Sequence, residues 1–268
     1  MKKFIRSPGR SRIFAAFAAC WIAANSGLTV AGECTTASGT QRVAVLELYT
    51  SEGCDSCPPA DKWITRFPAN NLRPDRVIPL AFHVDYWNQL GWTDRFSQAG
   101  FSERQRRHSN RRGVSFVVTP QLLLNGQDYR SWNSFDDLSG KVKAINESKP
   151  LAAIKVRSTL SGLILTTAVD VSVAEDAAQK DADVYFALYE NNLTSQVEAG
   201  ENRGQTLRHD FVVRKLIGPL PLDDNGKLSQ APRFEIMAAW KPRDVSLAVF
   251  VQNRRTGDVL QAVAAHCS

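Results

Sequence analysis

Hydrophobic residues follow different patterns in the two halves of the chain. The first half has two continuous apolar runs, residues 43–49 and 77–84, which are typical of strands buried on both faces of a sheet. Between them, residues 54–67 place two prolines before an amphipathic pattern, which predicts a helix with the prolines in its first turn. Strand, helix and strand in this order predict a right-handed parallel crossover.

The rest of the first half adds helices and a hairpin. Residues 85–113 are rich in aromatic side chains, and Ser102 with Gln105 predicts a capping box for a helix that Gly113 ends. We expect this insertion to cover one end of the sheet. Residues 121–127 predict a hairpin around an Asn-Gly turn, and a helix capped by Ser134 closes the α/β region at residue 149.

The second half consists of short apolar or alternating runs separated by Gly, Asp and Asn. These runs cover residues 154–158, 163–169, 184–190, 211–216, 234–239, 247–253 and 259–264. Strands at such spacing predict an antiparallel β-sandwich over residues 150–268. The predicted fold class is therefore an α/β domain over residues 42–149 followed by an all-β, sandwich-like C-terminal domain.

The first 31 residues are typical of a cleaved signal peptide. Five Lys and Arg residues precede an apolar run of about 12 residues, too short for the about 20 that cross a bilayer. We therefore expect a periplasmic or secreted protein without an integral membrane span, beginning with a short segment over residues 32–41. Removing the signal lowers the formal net charge from +6 to about +1.

One basic cluster stands out after the signal is removed. It consists of Arg104, Arg106, Arg107, Arg111 and Arg112 around His108. No aromatic residues are interleaved with these charges, so we interpret the cluster as a solvated helix face and expect no nucleic-acid partner.

The cysteines predict two pairs. Cys20 leaves with the signal, so four cysteines reach an oxidising compartment. Cys54 and Cys57 are close enough to pair locally, which leaves Cys34 for Cys267 as a structural disulfide between the two ends of the mature chain. Alternatively, Cys34 or Cys267 is free or pairs with another molecule.

The pair Cys54 and Cys57 can carry thiol chemistry. A cysteine at a helix N-terminus is stabilised as a thiolate, so Cys54 is the candidate nucleophile and Cys57 the resolving thiol. The negative charge of Asp55 should make Cys54 less acidic than in strong oxidants. Glu47, the acid inside the first strand, either accepts a proton from Cys57 or is merely exposed or hydrogen-bonded.

Two further observations sharpen this interpretation. Zinc ribbons need a second cysteine pair, and the sequence has none at that spacing. Pro120 precedes a predicted strand at the position where a cis-proline would lie beside the disulfide and present backbone to an extended substrate.

The motifs resemble those of a known family of secreted bacterial thioredoxin-like proteins of unknown function, DUF1223. The resemblance rests on residues 45–61 (VLELYTSEGCDSCPPAD), 81–87 (AFHVDYW), 119–121 (TPQ), 125–126 (NG), 200–204 (GENRG) and 207–214 (LRHDFVVR). It implies a thioredoxin-like α/β fold for residues 42–149 and extends over nearly the whole mature chain. It implies no substrate and no direction of exchange.

Three functions follow as hypotheses. The first is a thiol–disulfide oxidoreductase without a cofactor, which uses Cys54, Cys57, Pro120 and Glu47 on protein thiols, disulfides or a redox partner protein. The second is copper or other soft-metal binding by Cys54, Cys57 and His83, although His83 is better explained as a hydrogen-bonded residue of a loop corner. The third is a non-catalytic envelope binding protein with a fixed Cys54–Cys57 disulfide.

Overall fold

The computed structural model describes Met1, Phe4, residues 33–174 and residues 176–266. The remainder of the predicted signal peptide and Cys267 lie outside the described residues. Cys34 is disulfide-bonded, and its pairing with Cys267 stays a prediction. Residues 31–268 group into one compact unit.

The strands are β1 (Glu33–Ala37), β2 (Ala44–Thr50), β3 (Val77–His83), β4 (Gln121–Leu124), β5 (Gln127–Asp128), β6 (Ala152–Ser161), β7 (Ile164–Val173), β8 (Ala182–Glu190), β9 (Leu193–Gln196), β10 (Thr206–His209), β11 (Val212–Pro221), β12 (Lys227–Gln230), β13 (Arg233–Glu235), β14 (Val245–Asn253) and β15 (Val259–Ala265). The helices are α1 (Pro58–Ile64), α2 (Ala99–Arg111), α3 (Phe135–Glu147) and α4 (Asp176–Gln179), with 3₁₀ turns at Pro68–Asn70, Asn88–Leu90 and Pro242–Asp244. Among the described residues, no helix is long and apolar enough to cross a membrane.

An eight-stranded mixed sheet organises the molecule, in the order β15-β14-β8-β11-β3-β2-β4-β5. β3 pairs in parallel with β2 on one side and with β11 on the other, whereas the remaining neighbours are antiparallel. Every residue of β2 and β3 is buried, which confirms the two continuous apolar runs as strands covered on both faces.

A second sheet, wholly antiparallel, has the order β1-β6-β7-β12, with β13 also paired to β7. Its β6 alternates buried and exposed residues, so one face packs inward and the other meets solvent. The buried face shares a hydrophobic core with β8, β14 and β15 of the larger sheet. The two sheets therefore pack face to face, and residues from the second half of the chain form the core between them.

This architecture corrects the predicted fold class. The structure is mostly β-sheet, and it does not consist of an α/β thioredoxin-like domain followed by a separate all-β sandwich. β11 pairs with β3, so the sheet of the first half continues directly into β11, β8, β14 and β15. The physical reason is the burial of β8 on both faces: one face packs on the smaller sheet and the other on the core beneath α2.

The helix and turn predictions have mixed outcomes. Ser134 caps α3 by accepting a hydrogen bond from the backbone N–H of Asp137 at 3.2 Å, as predicted. The capping box at Ser102 is wrong, because α2 begins three residues earlier and the Ser102 hydroxyl donates to the Asp85 carboxylate instead. The predicted hairpin is present as β4 and β5.

Candidate functional site

Cys54 and Cys57 form a disulfide at the carboxyl end of β2, with their Cα atoms 5.4 Å apart. The chain leaves β2 at Thr50, turns, and enters α1 at Pro58, so the pair occupies the junction between strand and helix. Both cysteines are completely buried, whereas Asp55 and Ser56 between them are exposed. The predicted pairing is thus confirmed, and the two sulfur atoms lie below the surface.

Thr119 approaches the sulfur of Cys54 from the loop before β4. Its hydroxyl donates to Cys54 Sγ at 3.3 Å, and its backbone oxygen lies 3.8 Å from the same atom. The indole N–H of Trp87 donates to the Thr119 hydroxyl at 2.7 Å, which leaves the hydroxyl proton for the sulfur. The Thr119–Pro120 peptide bond is cis, as the sequence predicts.

The N-terminus of α1 supplies fewer donors to Cys54 than the sequence interpretation assumes. Pro58 and Pro59 have no N–H, and the N–H groups of Ala60 and Asp61 both bond to the Cys57 carbonyl. The Thr119 hydroxyl donates to Cys54 Sγ at 3.3 Å. The Ser56 hydroxyl lies 3.4 Å from the same sulfur and donates to the Thr119 backbone oxygen at 3.4 Å.

A loop from the second half of the chain holds the cysteine turn in place. The buried side-chain amide of Asn202 donates to the backbone oxygens of Glu52 and Cys54, both at 2.9 Å. Glu201 accepts a hydrogen bond from the Asp55 N–H at 3.1 Å. Sequence reasoning missed these roles, and the only signal for them is the glycine-flanked motif at residues 200–204.

Glu47 lies in a different part of the molecule from the cysteine turn. Alternate residues of β2 pack against α1, whereas Glu47 faces α2 and forms two 2.8 Å hydrogen bonds with Arg104. Burial alone raises the pKa of Glu47, but the charge of Arg104 lowers it to about 2. The structure therefore brings Cys54, Cys57 and Pro120 together, and it places Glu47 in a separate, buried ion pair.

This ion pair also changes the interpretation of the basic cluster. Arg104 and His108 are buried, so the prediction of a solvated face is wrong for them, whereas Arg106 and Arg107 are exposed. Arg104 additionally donates to Gln252 at 2.9 Å, which links α2 to β14.

Five ionisable residues form a buried cluster next to the cysteine turn: Glu52, Asp61, His83, Asp94 and His209. His83, the last residue of β3, has Nδ1 2.6 Å from Asp94 Oδ2, so it forms the hydrogen bond to the following loop that the loop-corner interpretation predicts. His209 lies between two carboxylates, with Nε2 3.3 Å from Glu52 Oε1 and Nδ1 3.5 Å from Asp61 Oδ1.

The carboxylates control the charge of this cluster. Burial alone lowers the pKa of His209, but Asp61 and Glu52 outweigh it and raise the pKa to about 10. Burial alone raises the pKa of Asp94, and the neighbouring His83 reverses this, so that the pKa is lowered overall. In the described part of the chain, the group with metal-ligand spacing that contains His83 also contains Asp61 and His209, and it does not contain the cysteines.

Residues 45–252 match the family model described as "Protein of unknown function (DUF1223)". The chain belongs to this family. The DUF1223 segment spans both the cysteine turn and the loop that carries Asn202, so the elements of the site lie within the family region. No curated protein is significantly similar to the chain.

Two solved structures are similar to this DUF1223 protein in fold. A protein from Agrobacterium tumefaciens, solved by X-ray crystallography, has a TM-score of 0.59 and 24% sequence identity, covering 86% of this chain and 97% of its own. HBP35 of Porphyromonas gingivalis has a TM-score of 0.63 and 15% identity, covering 85% of this chain and 76% of its own. At these identities the likeness concerns the fold alone.

Proposed function

We propose that this DUF1223 protein is an exported thiol–disulfide oxidoreductase in which Cys54 exchanges with protein thiols or disulfides. The observation that carries the proposal is the Cys54–Cys57 disulfide with the Thr119 hydroxyl donating to Cys54 Sγ at 3.3 Å. A hydroxyl proton aimed at a sulfur stabilises that sulfur as a thiolate, and the thiolate is the attacking form in disulfide exchange. The signal-peptide pattern of residues 1–31 supports export to a compartment where such exchange occurs.

The proposed exchange has two balanced steps. In the reduced protein, the Cys54 thiolate attacks one sulfur of a substrate disulfide and forms a mixed disulfide, while the other substrate sulfur leaves as a thiolate. The Cys57 thiolate then attacks Cys54 Sγ, which restores the Cys54–Cys57 disulfide and releases the second substrate thiol. Two electrons pass from the protein to the substrate, and the reverse sequence oxidises a substrate dithiol.

The environments of the two cysteines favour Cys54 as the attacking residue. Cys54 contacts two hydroxyls, and the exposed residues Asp55 and Ser56 directly follow it. Cys57 is the N-cap residue of α1, and its carbonyl is occupied by two helix N–H groups. Cys57 is therefore held by the helix, as a resolving thiol should be.

The burial of the disulfide favours a second candidate function. Because neither cysteine is exposed, an external thiolate reaches Cys54 only when the surrounding loops move. If those loops stay closed, Cys54–Cys57 is a fixed structural disulfide, and the protein binds an envelope component without exchange.

Variants in which either Cys54 or Cys57 is replaced distinguish the two functions. Folded Cys57→Ser protein should form a mixed disulfide at Cys54 with oxidised glutathione, and this reaction should be at least about tenfold faster than that of Cys54→Ser at Cys57. Mass spectrometry measures both rates, and the same variants in denaturant give the reference rate of an accessible thiol. If Cys57→Ser reacts only after unfolding, the fixed disulfide is correct and the oxidoreductase proposal fails.

A further inference from the structure

The buried cluster of Glu52, Asp61, His83, Asp94 and His209 beside the cysteine turn has the residue types and burial expected of a metal site. Both of its histidines lie beside carboxylates and still have buried ring nitrogens without a hydrogen-bond partner. His83 uses Nδ1 on Asp94 at 2.6 Å, which leaves Nε2 buried and unpartnered. His209 has Nε2 3.3 Å from Glu52 Oε1 and Nδ1 3.5 Å from Asp61 Oδ1, and neither buried nitrogen forms a hydrogen bond.

Asp61 completes the same pattern. Its Oδ2 accepts a hydrogen bond from the Thr50 hydroxyl at 2.7 Å, whereas its buried Oδ1 accepts no hydrogen bond and lies 3.5 Å from His209 Nδ1. Ligand atoms of Asp61, His83 and His209 all lie within 4.8 Å of one another. Asp61 Oδ1 and His209 Nδ1 face each other at 3.5 Å, longer than a normal hydrogen bond, and His83 Nε2 has no hydrogen-bond partner. A shared cation would satisfy all three buried atoms.

We propose that Asp61, His83 and His209 bind a divalent transition-metal ion, with Zn²⁺ as the best match. Two imidazoles and one carboxylate form a borderline ligand set that suits zinc, and thiolates are not required. Asp94 and Glu52 act as outer-shell carboxylates, which orient metal-bound histidines through the second ring nitrogen.

The ion would join four separate parts of the chain. Asp61 belongs to α1, His83 ends β3, His209 ends β10, and Glu52 lies in the turn before Cys54. The site therefore connects the cysteine turn to the second half of the molecule. It does not depend on thiol exchange, because the cysteines are not among its ligands.

Titration of the oxidised, chelator-treated mature protein with Zn²⁺ tests the proposal. We expect one zinc ion per chain by calorimetry and elemental analysis, and an increase in Tm of roughly 5 °C or more at a zinc concentration about 100 times Kd. Cys54→Ser/Cys57→Ser and His266→Ala should bind zinc as the wild type does, since His266 is an exposed histidine outside the cluster.

The ligand variants give the decisive comparison. Asp94→Asn should weaken zinc binding by about 10-fold to 100-fold, and His83→Ala, His209→Ala and Asp61→Asn should weaken it more. Absence of saturable binding, or binding that these three variants leave unchanged, would overturn the proposal.

Cobalt substitution keeps the test independent of how the variants fold. Reduced wild-type protein loaded with Co²⁺ should show the visible bands of a tetrahedral nitrogen–oxygen site. A thiolate-to-cobalt charge-transfer band would instead place the ion on the cysteines and refute the proposed site.

Discussion

At the scale of single residues, the hydroxyl of Thr119 is the contact that matters most for Cys54. It replaces the helix N–H donors that Pro58 and Pro59 remove, and it is fixed by the indole of Trp87. Thr119→Val keeps the shape and deletes the donor, so we expect the pKa of the Cys54 thiol to rise by about one unit. The pH dependence of alkylation of the reduced protein measures this pKa.

Thr65→Val is the matched control, because the Thr65 hydroxyl is exposed and bonds only to the Lys62 carbonyl among the described contacts. An unchanged pKa in Thr119→Val would show that the hydroxyl does not stabilise the thiolate.

The site residues that sequence could identify have a partner near in the chain or carry a local signal of their own. Cys54 and Cys57 are three positions apart, and Pro120 is conspicuous as a proline before a strand. Asn202 was missed because it bonds to Cys54 across 148 positions, and an Asn in a glycine-rich turn has many ordinary uses. The periodicity of hydrophobic residues does not indicate such a long-range side-chain contact.

At the scale of elements, the ion pair of Glu47 and Arg104 holds α2 on the sheet. Arg104 is 1% exposed, bonds twice to β2 and once to β14, and lies over the rings of Phe82, Tyr185 and Phe250. Arg104→Met leaves the Glu47 carboxylate buried without its cation, so we expect a loss of about 3–5 kcal/mol in the free energy of unfolding.

Urea denaturation measures that loss, with Arg106→Met on the exposed face of α2 as the control. Equal stability of the two variants would mean that α2 is not anchored through Arg104.

The same ion pair predicts how stability depends on pH. The folded-state pKa of Glu47, about 2, lies below its ordinary value of 4.5, so the folded state favours the ionised form. The stabilisation is present above pH 4.5 and is lost as the pH falls towards 2, and it amounts to about 3 kcal/mol. Unfolding free energies measured across this range should fall less steeply with acid in Glu47→Gln than in the wild type. Identical slopes would contradict the assigned pKa.

The N-termini of α2 and α3 show that the same local sequence signal can predict a helix cap correctly at one position and wrongly at another. Ser134 caps α3 because it precedes the helix in an extended conformation, whereas Ser102 lies inside α2 and bonds to Asp85 on a neighbouring loop. Both positions satisfy the rule that serine favours the N-cap of a helix. Tertiary contact with Asp85 decides the role of Ser102, and the sequence rule contains no information about that contact.

At the scale of the whole molecule, the shared sheet explains why the predicted fold class was wrong. Apolar runs predict most of the strand positions in the second half. They contain no information about which strands pair with each other. The continuous apolar run of β8 is equally typical of a sandwich strand and of a central strand in a larger sheet. Its pairing with β11, and that of β11 with β3, joins the halves.

A fragment of residues 33–149 should therefore fail to fold by itself. It lacks β11 beside β3, and the core under α2 loses Tyr185 and Phe250 from the second half. We expect no cooperative thermal transition by circular dichroism, in contrast to the chain from residue 32 onward. A cooperative transition in the fragment would show that the first half is an independent domain.

The reduction potential of Cys54–Cys57 tests the central claim most directly. The protein from residue 32 onward and its Cys54→Ala/Cys57→Ala variant are equilibrated in glutathione buffers of graded poise, and the reduced fraction is measured by thiol alkylation and mass spectrometry. An exchange-active disulfide predicts a two-electron transition between roughly −120 and −270 mV that is absent from the variant. A pair that stays oxidised below about −300 mV would be structural and would contradict the proposed oxidoreductase function.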